Sequence, residues 1–438
     1  MAFVSTEELY TIFLRYPKIS TDTRAIQPGS IFFALRGANF NGNLFVKEAL
    51  EKGAAYAVAD EIRGKDDRVL PVPDVLFALQ ELGRHHREQL GKKGLKVLAL
   101  TGSNGKTTTK ELLARVLSRK FRTLFTEGNL NNQIGVPLTL LRLTTMHEMA
   151  VIEMGANHRG EIAMLCTILF PDYGLITNIG LAHLEGFGGP EGVLKGKTEL
   201  FRFLEKRDGT AFVFADDPNL VDAAQKLNTL TYGTGEDAAI SGKLLSTDPF
   251  VKFEWKKYGE RYTVQTQLLG GYNLPNLLAA CAVGSYFAIP PEQINEAIAA
   301  YIPSNTRSQL EEAGTNTLIL DYYNANPSSM EAAIENFAKI PAEKKLLILG
   351  DMFELGEVAA AEHQRIVDLA GEKVPGAMML LIGKLFAATE DDFNTVRLPD
   401  AVTAAEWLQT NMPENTLILI KGSRGMKLEQ CADVLMKN

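Results

Sequence analysis

Two stretches of the chain contain Gly-Lys-Thr, a tripeptide typical of phosphate-binding loops. The first, Gly105-Lys106-Thr107, lies in TGSNGKTTT between the apolar run KVLAL and the amphipathic stretch LLARVL. A strand that turns through glycines into a helix lets backbone N–H groups converge on phosphate oxygens, and the helix N-terminus adds favourable partial charge. In such a loop the lysine reaches the outer phosphates and the threonine hydroxyl binds Mg²⁺. The motif is incomplete, since Leu100 stands where its first glycine should be.

We assign nucleotide binding to the residues of this turn: Gly102, Asn104, Gly105, Lys106, Thr107 and Thr108. The alternative is a glycine turn that binds nothing, with Lys106 as a solvated residue of the first helical turn.

Two later apolar runs end in residues that can bind a metal. Glu153 follows MAVI and precedes MGANHRG, and His183 lies in ITNIGLAHLEGFG, just past YGLITNI. Ligands of open α/β sheets gather beyond the C-terminal ends of the strands, and carboxylates hold the Mg²⁺ that bridges nucleotide phosphates. We therefore predict metal ligands at Thr107, Glu153 and His183. The alternative is an ordinary loop carboxylate and an ordinary loop histidine.

The second Gly-Lys-Thr, at 196–198, has no strand before it. EGVLKGKTELFRFL has the period of one helix, and Lys197 falls on its apolar face, four residues after Val193. A buried ammonium is costly, so such a lysine either extends its amine to solvent or is chemically altered. Reaction with CO₂ would give a carbamate anion, which could bind a second Mg²⁺ beside His183. Both interpretations stay open.

The elements around these residues predict α/β domains. Strand, turn and helix patterns begin at SIFFALRG, and a Gly/Lys cluster follows at 91–94; apolar runs then alternate with helical stretches up to a hairpin in FVKFEWKKYGERYTVQTQ. After YIPSNTRSQ the alternation resumes. We predict three domains: a small α/β domain at 1–91, a central doubly wound, mostly parallel sheet at 92–303, and a Rossmann-like C-terminal domain at 304–438.

The composition is that of an ordinary globular protein, with 46% hydrophobic and 22% charged residues among 438. The net charge of −8 argues against nucleic acid and anionic membranes as partners. No apolar run is long enough to span a membrane, and acidic residues interrupt MAFVSTEELYTIFLRYP where a signal peptide needs an apolar stretch. We therefore expect a cytoplasmic protein without membrane insertion. The three cysteines are expected to be reduced and buried, and we expect a monomer, since no spare apolar surface is evident.

These motifs, in this order, resemble those of the ATP-dependent Mur ligases of peptidoglycan synthesis, over almost the whole chain. TGSNGKTTT resembles the family's nucleotide loop, EMGANHRGEI and TNIGLAHLEGFG the segments with its metal-binding Glu and His, and GKTELF the segment with its carbamylated lysine. The resemblance implies ATP, two Mg²⁺ sites and a carbamylated Lys197. GGYNLPNLLAA resembles the adenine-binding segment, which implies nucleotide contacts by Asn273 and Asn276, and Arg307 matches a phosphate-contacting arginine.

Five stretches resemble the family members that add D-alanyl-D-alanine: DTRAIQPGSIFFALRG, TEGNLNNQIGVPLTLLRL, DYYNANPSSM, LGDMFELGEVAAAEH and IKGSRGMKLE. The resemblance implies UDP-N-acetylmuramoyl-tripeptide and D-alanyl-D-alanine as the other substrates. It assigns nucleotide or substrate contacts to residues of the matching stretches: Thr23, Arg24, Asn129, Asn131, Asn132, Asp321, Tyr323, Asn324 and Asn326.

The chain departs from the family pattern in two places. Tyr272 replaces a histidine of the adenine segment, and Asn41-Gly42-Asn43 replaces Asp-Gly-His in the uridine domain. Structural alternatives also stay open, because Asn273 could act only as a helix N-cap, and so could Ser328 or Ser329.

The implied reaction joins a carboxylate to an amine. The tripeptide carboxylate attacks the γ-phosphate to give an acyl phosphate and ADP, and the dipeptide amine then displaces phosphate. Both steps bring anions together, so we expect charge neutralisation and positioning by Lys106, His183, Lys197 and Arg307. Three alternatives are the family member that adds the third residue, a folylpolyglutamate synthase, and a phosphate-loop ATPase or kinase that forms no amide.

Overall fold

The computed structural model describes residues 3–62 and 64–437, whose strands form three larger sheets and one two-stranded pair. The chain is an α/β protein, which confirms the predicted fold class. Cys166, Cys281 and Cys431 are buried free thiols, as expected. No helix in this part of the chain is long and apolar enough to cross a membrane.

The first unit is a small α/β layer. Its elements are α1 (Thr6–Arg15), β1 (Ile19–Ser20), β2 (Ile31–Phe33), β3 (Arg36–Gly37), β4 (Phe40–Asn41), α2 (Val46–Glu51), β5 (Tyr56–Ala59), β6 (Val69–Pro71) and α3 (Val75–Gly91). Four strands pair in parallel in the order β1-β2-β5-β6, and β3 and β4 form a separate antiparallel pair. Fully buried side chains such as Ile31, Phe33 and Val58 form the core of this layer.

The central unit carries the nine-stranded sheet. Its elements are β7 (Lys96–Thr101), α4 (Lys106–Leu117), β8 (Thr123–Phe125), α5 (Gly135–Leu140), β9 (Met149–Glu153), α6 (Glu161–Leu169), β10 (Tyr173–Ile176), α7 (Leu184–Phe187), α8 (Pro190–Lys197), α9 (Glu199–Glu205), β11 (Thr210–Phe214), α10 (Pro218–Ala223), β12 (Asn228–Gly233), β13 (Ile240–Ser246), β14 (Lys252–Lys257), β15 (Glu260–Gln265), α11 (Leu274–Tyr286) and α12 (Pro291–Ala299). The strand order is β15-β14-β13-β12-β11-β10-β7-β9-β8. All pairs from β13 to β8 are parallel, whereas β14 and β15 form the predicted antiparallel hairpin.

The third unit is a six-stranded sheet with helices on both sides. Its elements are β16 (Gln309–Ala313), β17 (Asn316–Asp321), α13 (Pro327–Lys339), β18 (Lys344–Gly350), α14 (Ala359–Lys373), β19 (Met378–Ile382), α15 (Lys384–Ala387), β20 (Thr395–Leu398), α16 (Ala401–Thr410), β21 (Thr416–Lys421) and α17 (Glu429–Met436). The strand order is β16-β17-β21-β18-β19-β20, and only β16 pairs antiparallel. Apolar clusters fill both faces of this sheet.

The stretch predicted as one helix around Lys197 is two helices, so that prediction is wrong. α8 ends at Lys197 and α9 begins at Glu199. Between them, Thr198 Oγ1 donates to the Leu194 carbonyl oxygen (2.8 Å). A threonine hydroxyl that bonds back to the preceding turn offers the backbone an alternative to the helical ladder and bends it.

Helix α3 is shared between the first and central units. Val75, Leu79 and Leu82 belong to the core of the first unit, whereas Leu90 belongs to a core of the central unit. The helix lies so close to α5 that a Cβ on Gly83 would approach the Pro137 Cβ to 2.9 Å. The predicted boundary at residue 91 therefore follows a helix that both units bury, and the boundaries at 91 and 303 stay predictions.

Arg87 fastens the C-terminal half of α3 to the central unit. Its buried guanidinium donates to the carbonyl oxygens of Leu169 (3.0 Å) and Phe170 (3.0 Å) and to the Asp172 carboxylate (2.8 Å). Asp172 also accepts from the Val97 amide (2.8 Å), so one ion pair joins α3, the end of α6 and β7.

We expect Arg87→Met to lower the free energy of unfolding by about 3 kcal/mol, because it removes the buried donor of two carbonyl groups and leaves Asp172 with only the half-exposed Lys96 as its cation (3.2 Å). Arg84→Met is the matched control: Arg84, on the same helix, pairs with Glu81 and Glu88 with its side chain 32% exposed. That substitution should cost less than about 1 kcal/mol. Urea unfolding followed by circular dichroism measures both, and equal losses for the two variants would contradict the role given to Arg87.

Candidate active site

A cleft of about 680 Å³ lies between the central and third units, at the C-terminal ends of their parallel strands. Most of the residues predicted from the sequence line it: Asn104, Gly105, Lys106, Thr107, Thr108, Asn129, Asn131, Asn132, Glu153, His183, Asn273, Asn276, Arg307, Asp321, Tyr323, Asn324 and Asn326. The fold therefore brings residues from two units to one place, as expected for open α/β sheets.

The residues predicted to contact uridine lie in the first unit, outside this cleft. Thr23 and Arg24 belong to a short 3-10 helix, where Arg24 pairs with Asp22 (2.6 Å). Asn43 is buried, and its side-chain amide donates to Asp60 Oδ1 (2.7 Å). The structure does not bring Thr23 or Arg24 to the phosphate loop.

The phosphate loop connects β7 to α4 and is held by the end of β10. Gly102 has a φ of 143°, and a Cβ there would lie 2.0 Å from Thr177 Oγ1. Thr177 Oγ1 donates to the Asn104 carbonyl oxygen (2.6 Å), and the Asn104 amide donates to Asn178 Oδ1 (3.0 Å). Thr177 and Asn178 thus fix the loop backbone, and neither was predicted from the sequence. Only glycine at position 102 leaves room for the Thr177 hydroxyl.

Lys106 folds back over its own loop. Its Nζ donates to the carbonyl oxygens of Gly102 (2.8 Å) and Ser103 (3.0 Å). Burial lowers the pKa of Lys106 from 10.5 to about 8; nearby Arg307 also lowers it, and Glu153 opposes the shift. Lys106 is therefore not a solvated side chain, and an anion in the cleft would restore the stability of its charged form.

Glu153, at the end of β9, presents an unsatisfied oxygen. Its Oε1 accepts from Asn131 Nδ2 (2.9 Å), whereas the buried Oε2 has no hydrogen-bond partner among the described residues. The Thr107 hydroxyl lies in the same cleft. A buried carboxylate oxygen without a partner fits a hard cation such as Mg²⁺. Across residues 3–62 and 64–437, no group of three or more His, Cys, Asp or Glu side chains could hold a metal. A Mg²⁺ ion bound to Glu153 would therefore need a hydroxyl, water and substrate oxygens as its other ligands.

His183 meets a carboxylate of the third unit. Its Nδ1 is hydrogen-bonded to Glu354 Oε2, which leaves Nε2 as the other ring nitrogen. Burial lowers the pKa of His183, and Lys106 and Lys197 act in the same direction. A histidine whose first nitrogen contacts a carboxylate has the arrangement common among metal ligands. The sequence analysis did not assign Glu354, because its partner lies 171 positions away.

Lys197 is 1% exposed, so the interpretation in which its amine extends to solvent is wrong. Its Nζ donates to the Ala156 carbonyl oxygen (3.1 Å) and lies 5.0 Å from the Phe187 ring centroid. Burial lowers the pKa of Lys197 from 10.5 to about 7, with Lys106 contributing. The amine is therefore largely uncharged just above neutral pH, which is the form that reacts with electrophiles.

Asn273 and Asn276 support the phosphate-loop helix. Asn273 Nδ2 donates to the Leu269 carbonyl oxygen (2.8 Å), and its Oδ1 accepts from Asn276 Nδ2 (2.9 Å). Thr109 Oγ1, in α4, donates to Asn276 Oδ1 (3.0 Å). Asn273 makes no side-chain cap of α11, so the interpretation as a mere cap is wrong. Tyr272 lines the same cleft, with its hydroxyl 2.6 Å from Ser308 Oγ.

The third unit contacts the phosphate loop through hydrogen bonds among three side chains, here called the loop latch: Asn104, Asn326 and Ser328. Asn326 Nδ2 donates to Asn104 Oδ1 (2.8 Å), and Asn104 Nδ2 donates to Ser328 Oγ (2.8 Å). Asn326 is also the N-cap of α13, where it accepts from the Ser329 amide (2.9 Å). Ser329 is therefore the third residue of a capping box, whereas Ser328 joins the two units.

Arg307 lies at the junction between the units. Its guanidinium carbon is 3.9 Å from the Tyr323 ring centroid, and its buried Nε has no hydrogen-bond partner among the described residues. The junction is tied to α4 by Glu111, which accepts from Tyr301 Oη (2.8 Å) and Asn305 Nδ2 (3.2 Å). The Arg307 guanidinium, with an unused Nε donor, thus lines the same cleft as Lys106.

Lys421 is a cleft residue that the sequence analysis missed. Its Nζ donates to Asp321 Oδ2 (2.6 Å), and the Ser308 amide donates to Asp321 Oδ1 (3.1 Å). Asp321 and Lys421 are partners in the register of the parallel strands β17 and β21. Each residue ends an apolar run, and this position was the only sequence signal for a site residue. The pairing of two strands that are distant in sequence cannot be read from the chain.

Comparison with known families and proteins gives a consistent result over nearly the full length. Three family models match: Mur ligase family, catalytic domain, at 15–87; Mur ligase middle domain, at 100–284; and Mur ligase, glutamate ligase domain, at 306–424. The UDP-N-acetylmuramoyl-tripeptide--D-alanyl-D-alanine ligase of Bacillus subtilis is 35% identical, over 96% of this chain and 93% of that protein.

Solved structures agree. MurF from Acinetobacter baumannii superposes with a TM-score of 0.86 at 33% identity, over 96% of this chain and 93% of that one. MurF ligase from Thermotoga maritima, solved in complex with ADP, gives a TM-score of 0.85 at 28% identity, over 97% of this chain and 98% of that one. The matching models, the identity over the full length and the shared fold show that this chain belongs to the Mur ligase family.

Proposed function

We propose that this chain is an ATP-dependent amide ligase that adds D-alanyl-D-alanine to UDP-N-acetylmuramoyl-tripeptide, giving the UDP-muramoyl-pentapeptide precursor of peptidoglycan, ADP and phosphate. One observation carries the proposal: a phosphate loop and an arginine from the unit junction face one cleft that the third unit closes through the loop latch. The 35% identity to a ligase of that name supports the choice of substrates.

ATP binds with its phosphates on the loop at 102–108. Lys106 exchanges the carbonyl oxygens of Gly102 and Ser103 for phosphate oxygens, which are charged and therefore stronger acceptors. Arg307 supplies a second cation from the unit junction, with its unused Nε donor. Asn273 and Asn276 position the base-binding segment and the helix that begins at the loop.

We propose two Mg²⁺ sites, the first at donor atoms that line the cleft and the second formed in part by Lys197, which is buried and is not among the cleft-lining residues. Thr107 and Glu153 would hold the first, and His183 with a carbamylated Lys197 would hold the second. When bound, Mg²⁺ neutralises phosphate charge and orients its oxygens. Glu153 Oε2 and His183 Nε2 have no hydrogen-bond partner among the described residues, so both atoms are available as ligands.

Cationic side chains of the protein assist the reaction by neutralising negative charge on the reacting groups. The tripeptide carboxylate attacks the γ-phosphorus, ADP leaves, and Lys106 and Arg307 stabilise the developing negative charge. The neutral dipeptide amine then attacks the acyl carbon and a C–N bond forms; the C–O bond to phosphate breaks and the amine loses one proton to solvent. Contact of the third unit with the loop excludes water, which would otherwise hydrolyse the acyl phosphate.

The three units divide the substrates between them. The first unit binds the UDP-sugar, with Thr23 and Arg24 as candidates; the central unit binds ATP; and the third unit binds the dipeptide near Tyr323, Asn324 and Asn326. Asn129, Asn131 and Asn132 line the cleft where the tripeptide carboxylate must arrive. We further propose a monomer that works in the cytoplasm, where ATP and UDP-linked precursors are available.

The test of the function is product formation. We expect ATP, UDP-N-acetylmuramoyl-tripeptide and D-alanyl-D-alanine together to yield the pentapeptide amide by mass spectrometry and one phosphate per amide. Phosphate release should depend on both peptide substrates. Turnover without the dipeptide would favour an ATPase or kinase, and a product from a free amino acid or glutamate would favour another ligase of the family.

Gly102→Ala should reduce kcat/KM for ATP by about 100-fold, since a displacement of about 1 Å at reacting groups costs that much. The added Cβ would lie 2.0 Å from Thr177 Oγ1 and force the loop to move. Gly94→Ala is the matched control, because Gly94 also has a positive φ of 101° but nothing within 4 Å of its Cβ position. Steady-state kinetics that show the same loss in both variants would refute the steric explanation.

Lys197 should carry a carbamate. Its neutral amine attacks the carbon of CO₂, an N–C bond forms, and one proton leaves to solvent. Because burial lowers the pKa of Lys197 to about 7, the neutral form predominates above that pH and is lost as the pH falls below it. ¹³C NMR with labelled bicarbonate should show a carbamate signal at pH 8 that fades below pH about 6.

The matched control for this signal is Lys195→Met, since Lys195 is exposed on the same helix and pairs with Glu191 (3.4 Å). The signal should persist in that variant and disappear in Lys197→Met. Full activity that is insensitive to bicarbonate, together with an unmodified Lys197 by intact mass, would remove the carbamate from the proposal.

A further inference from the structure

The linker that carries Arg307 between the central and third units has an unfavourable backbone conformation. Thr306 and Ser308, on either side of Arg307, have positive φ angles of 53° and 51° although neither is glycine. Side chains crowd the backbone in this left-handed conformation, and the β-branched side chain of threonine does so most. Such residues keep it only where surrounding contacts impose it, and they cluster at functional sites. The direction of the Arg307 side chain therefore depends on what holds its two neighbours.

Two hydrogen bonds hold the linker before Arg307. The Thr306 amide donates to Gln309 Oε1 (3.2 Å), and Asn305 Nδ2 donates to Glu111 Oε1 (3.2 Å). Glu111 belongs to α4, the helix that begins at the phosphate loop. This side of the linker is therefore fixed relative to that loop.

Contacts from both neighbouring units hold Ser308, the residue after Arg307. From the third unit, Asp321 Oδ1 accepts from the Ser308 amide (3.1 Å). From the central unit, the Tyr272 hydroxyl is hydrogen-bonded to Ser308 Oγ (2.6 Å). Ser308 is buried, so loss of the tyrosine hydroxyl would leave its Oγ without this partner at a cost in free energy. The Tyr272 hydroxyl thus fixes the backbone next to Arg307 relative to the central unit, where the phosphate loop lies.

The Tyr272 ring is itself held in place. Gly270 has a φ of 83°, and a Cβ there would lie 2.2 Å from Tyr272 Cε1, so the ring packs directly against the glycine backbone. Asn273, the next residue, is fixed by its hydrogen bonds to Leu269 and Asn276. The hydroxyl therefore reaches the linker from a rigid position in the segment proposed to bind the nucleotide base.

We infer that Tyr272 is a positioning residue for Arg307: its hydroxyl holds Ser308 and thereby directs the guanidinium into the cleft. The inference rests on the proposed function, in which Arg307 neutralises phosphate charge. The buried Nε of Arg307 has no hydrogen-bond partner among the described residues, so its contribution depends on where the linker places it. Tyr272, which stands where the family pattern has a histidine, thus links the base-binding segment to the arginine proposed to contact phosphate.

Removal of the hydrogen bond between Tyr272 and Ser308 provides the first test. Tyr272→Phe should lower kcat about 3- to 10-fold, the range for one hydrogen bond, with KM for ATP within about twofold, because the ring that lines the cleft is kept. Ser308→Ala should have the same effect, and the double variant should be no slower than either single one, since all three lose the same bond. Tyr262→Phe is the matched control, because the Tyr262 hydroxyl bonds Glu260 in the hairpin, outside the cleft, and kcat should be unchanged.

A second mutant cycle tests whether the hydroxyl acts through Arg307. In Arg307→Met, the further change Tyr272→Phe should alter the rate of amide formation less than about twofold, because no guanidinium is left to position. Single-turnover reactions with enzyme in excess, in which mass spectrometry measures the amide, keep these slow variants measurable. A hydroxyl that contacts the substrate itself, or that only stabilises the fold, would lower the rate by the same factor with and without Arg307, and that result would overturn the inference.

The outcomes separate this inference from the proposed function. Failure of the wild-type protein to form the amide overturns the function and the inference together. A wild-type protein that forms the amide while Tyr272→Phe has an equal kcat overturns the inference alone. A Tyr272→Phe effect confined to KM for ATP does so too, because it would assign the hydroxyl to nucleotide binding. Circular dichroism checks the folding of each variant.

Discussion

The loop latch between Asn104, Asn326 and Ser328 is the contact on which the site depends. It joins the phosphate loop to the start of α13 across 222 positions of sequence. The amide of Asn104 has both its donor and its acceptor satisfied by the third unit, so separation of the units would leave these groups to water. Without this docking, the phosphate loop would face solvent, and Arg307, Asp321 and Lys421 would not line the same cleft.

Electrostatic crowding is the second constraint. Lys106 interacts electrostatically with both Arg307 and Lys197 in a protein whose net charge is −8, and burial lowers the pKa of both lysines. Glu153 offsets part of the positive charge with a buried oxygen that has no partner among the described residues. An anion that approaches these cations stabilises the charged forms of both lysines, so the arrangement becomes more favourable when phosphate binds. The crowding of cations at the cleft thus favours polyanionic ligands over neutral ones.

The local features of the site could be predicted from the sequence, because they depend on neighbouring residues. A strand before the first Gly-Lys-Thr and a helix after it are enough to indicate a phosphate loop, and the helical period places Lys197 on an apolar face. The break at Thr198 was missed, since the helical period does not show that the Thr198 hydroxyl shares the Leu194 carbonyl oxygen with the Thr198 amide.

Long-range partners could not be predicted in this way. Glu354 reaches His183 from 171 positions away, and Lys421 pairs with Asp321 through strand order that the chain does not display. The role of a residue whose partner is distant in sequence can therefore be assigned only when the fold is known.

The shared helix α3 limits where the chain can be divided into independently folding units. Its first half completes the core of the first unit, and its last turns, through Arg87, complete the central unit. A cut after residue 91 would strip the central unit of a buried arginine and an apolar helix face, and a cut before residue 75 would open the core of the first unit. The first unit is consequently not an exchangeable module, and transplanting it onto another central unit would require the recipient to supply a matching groove for α3.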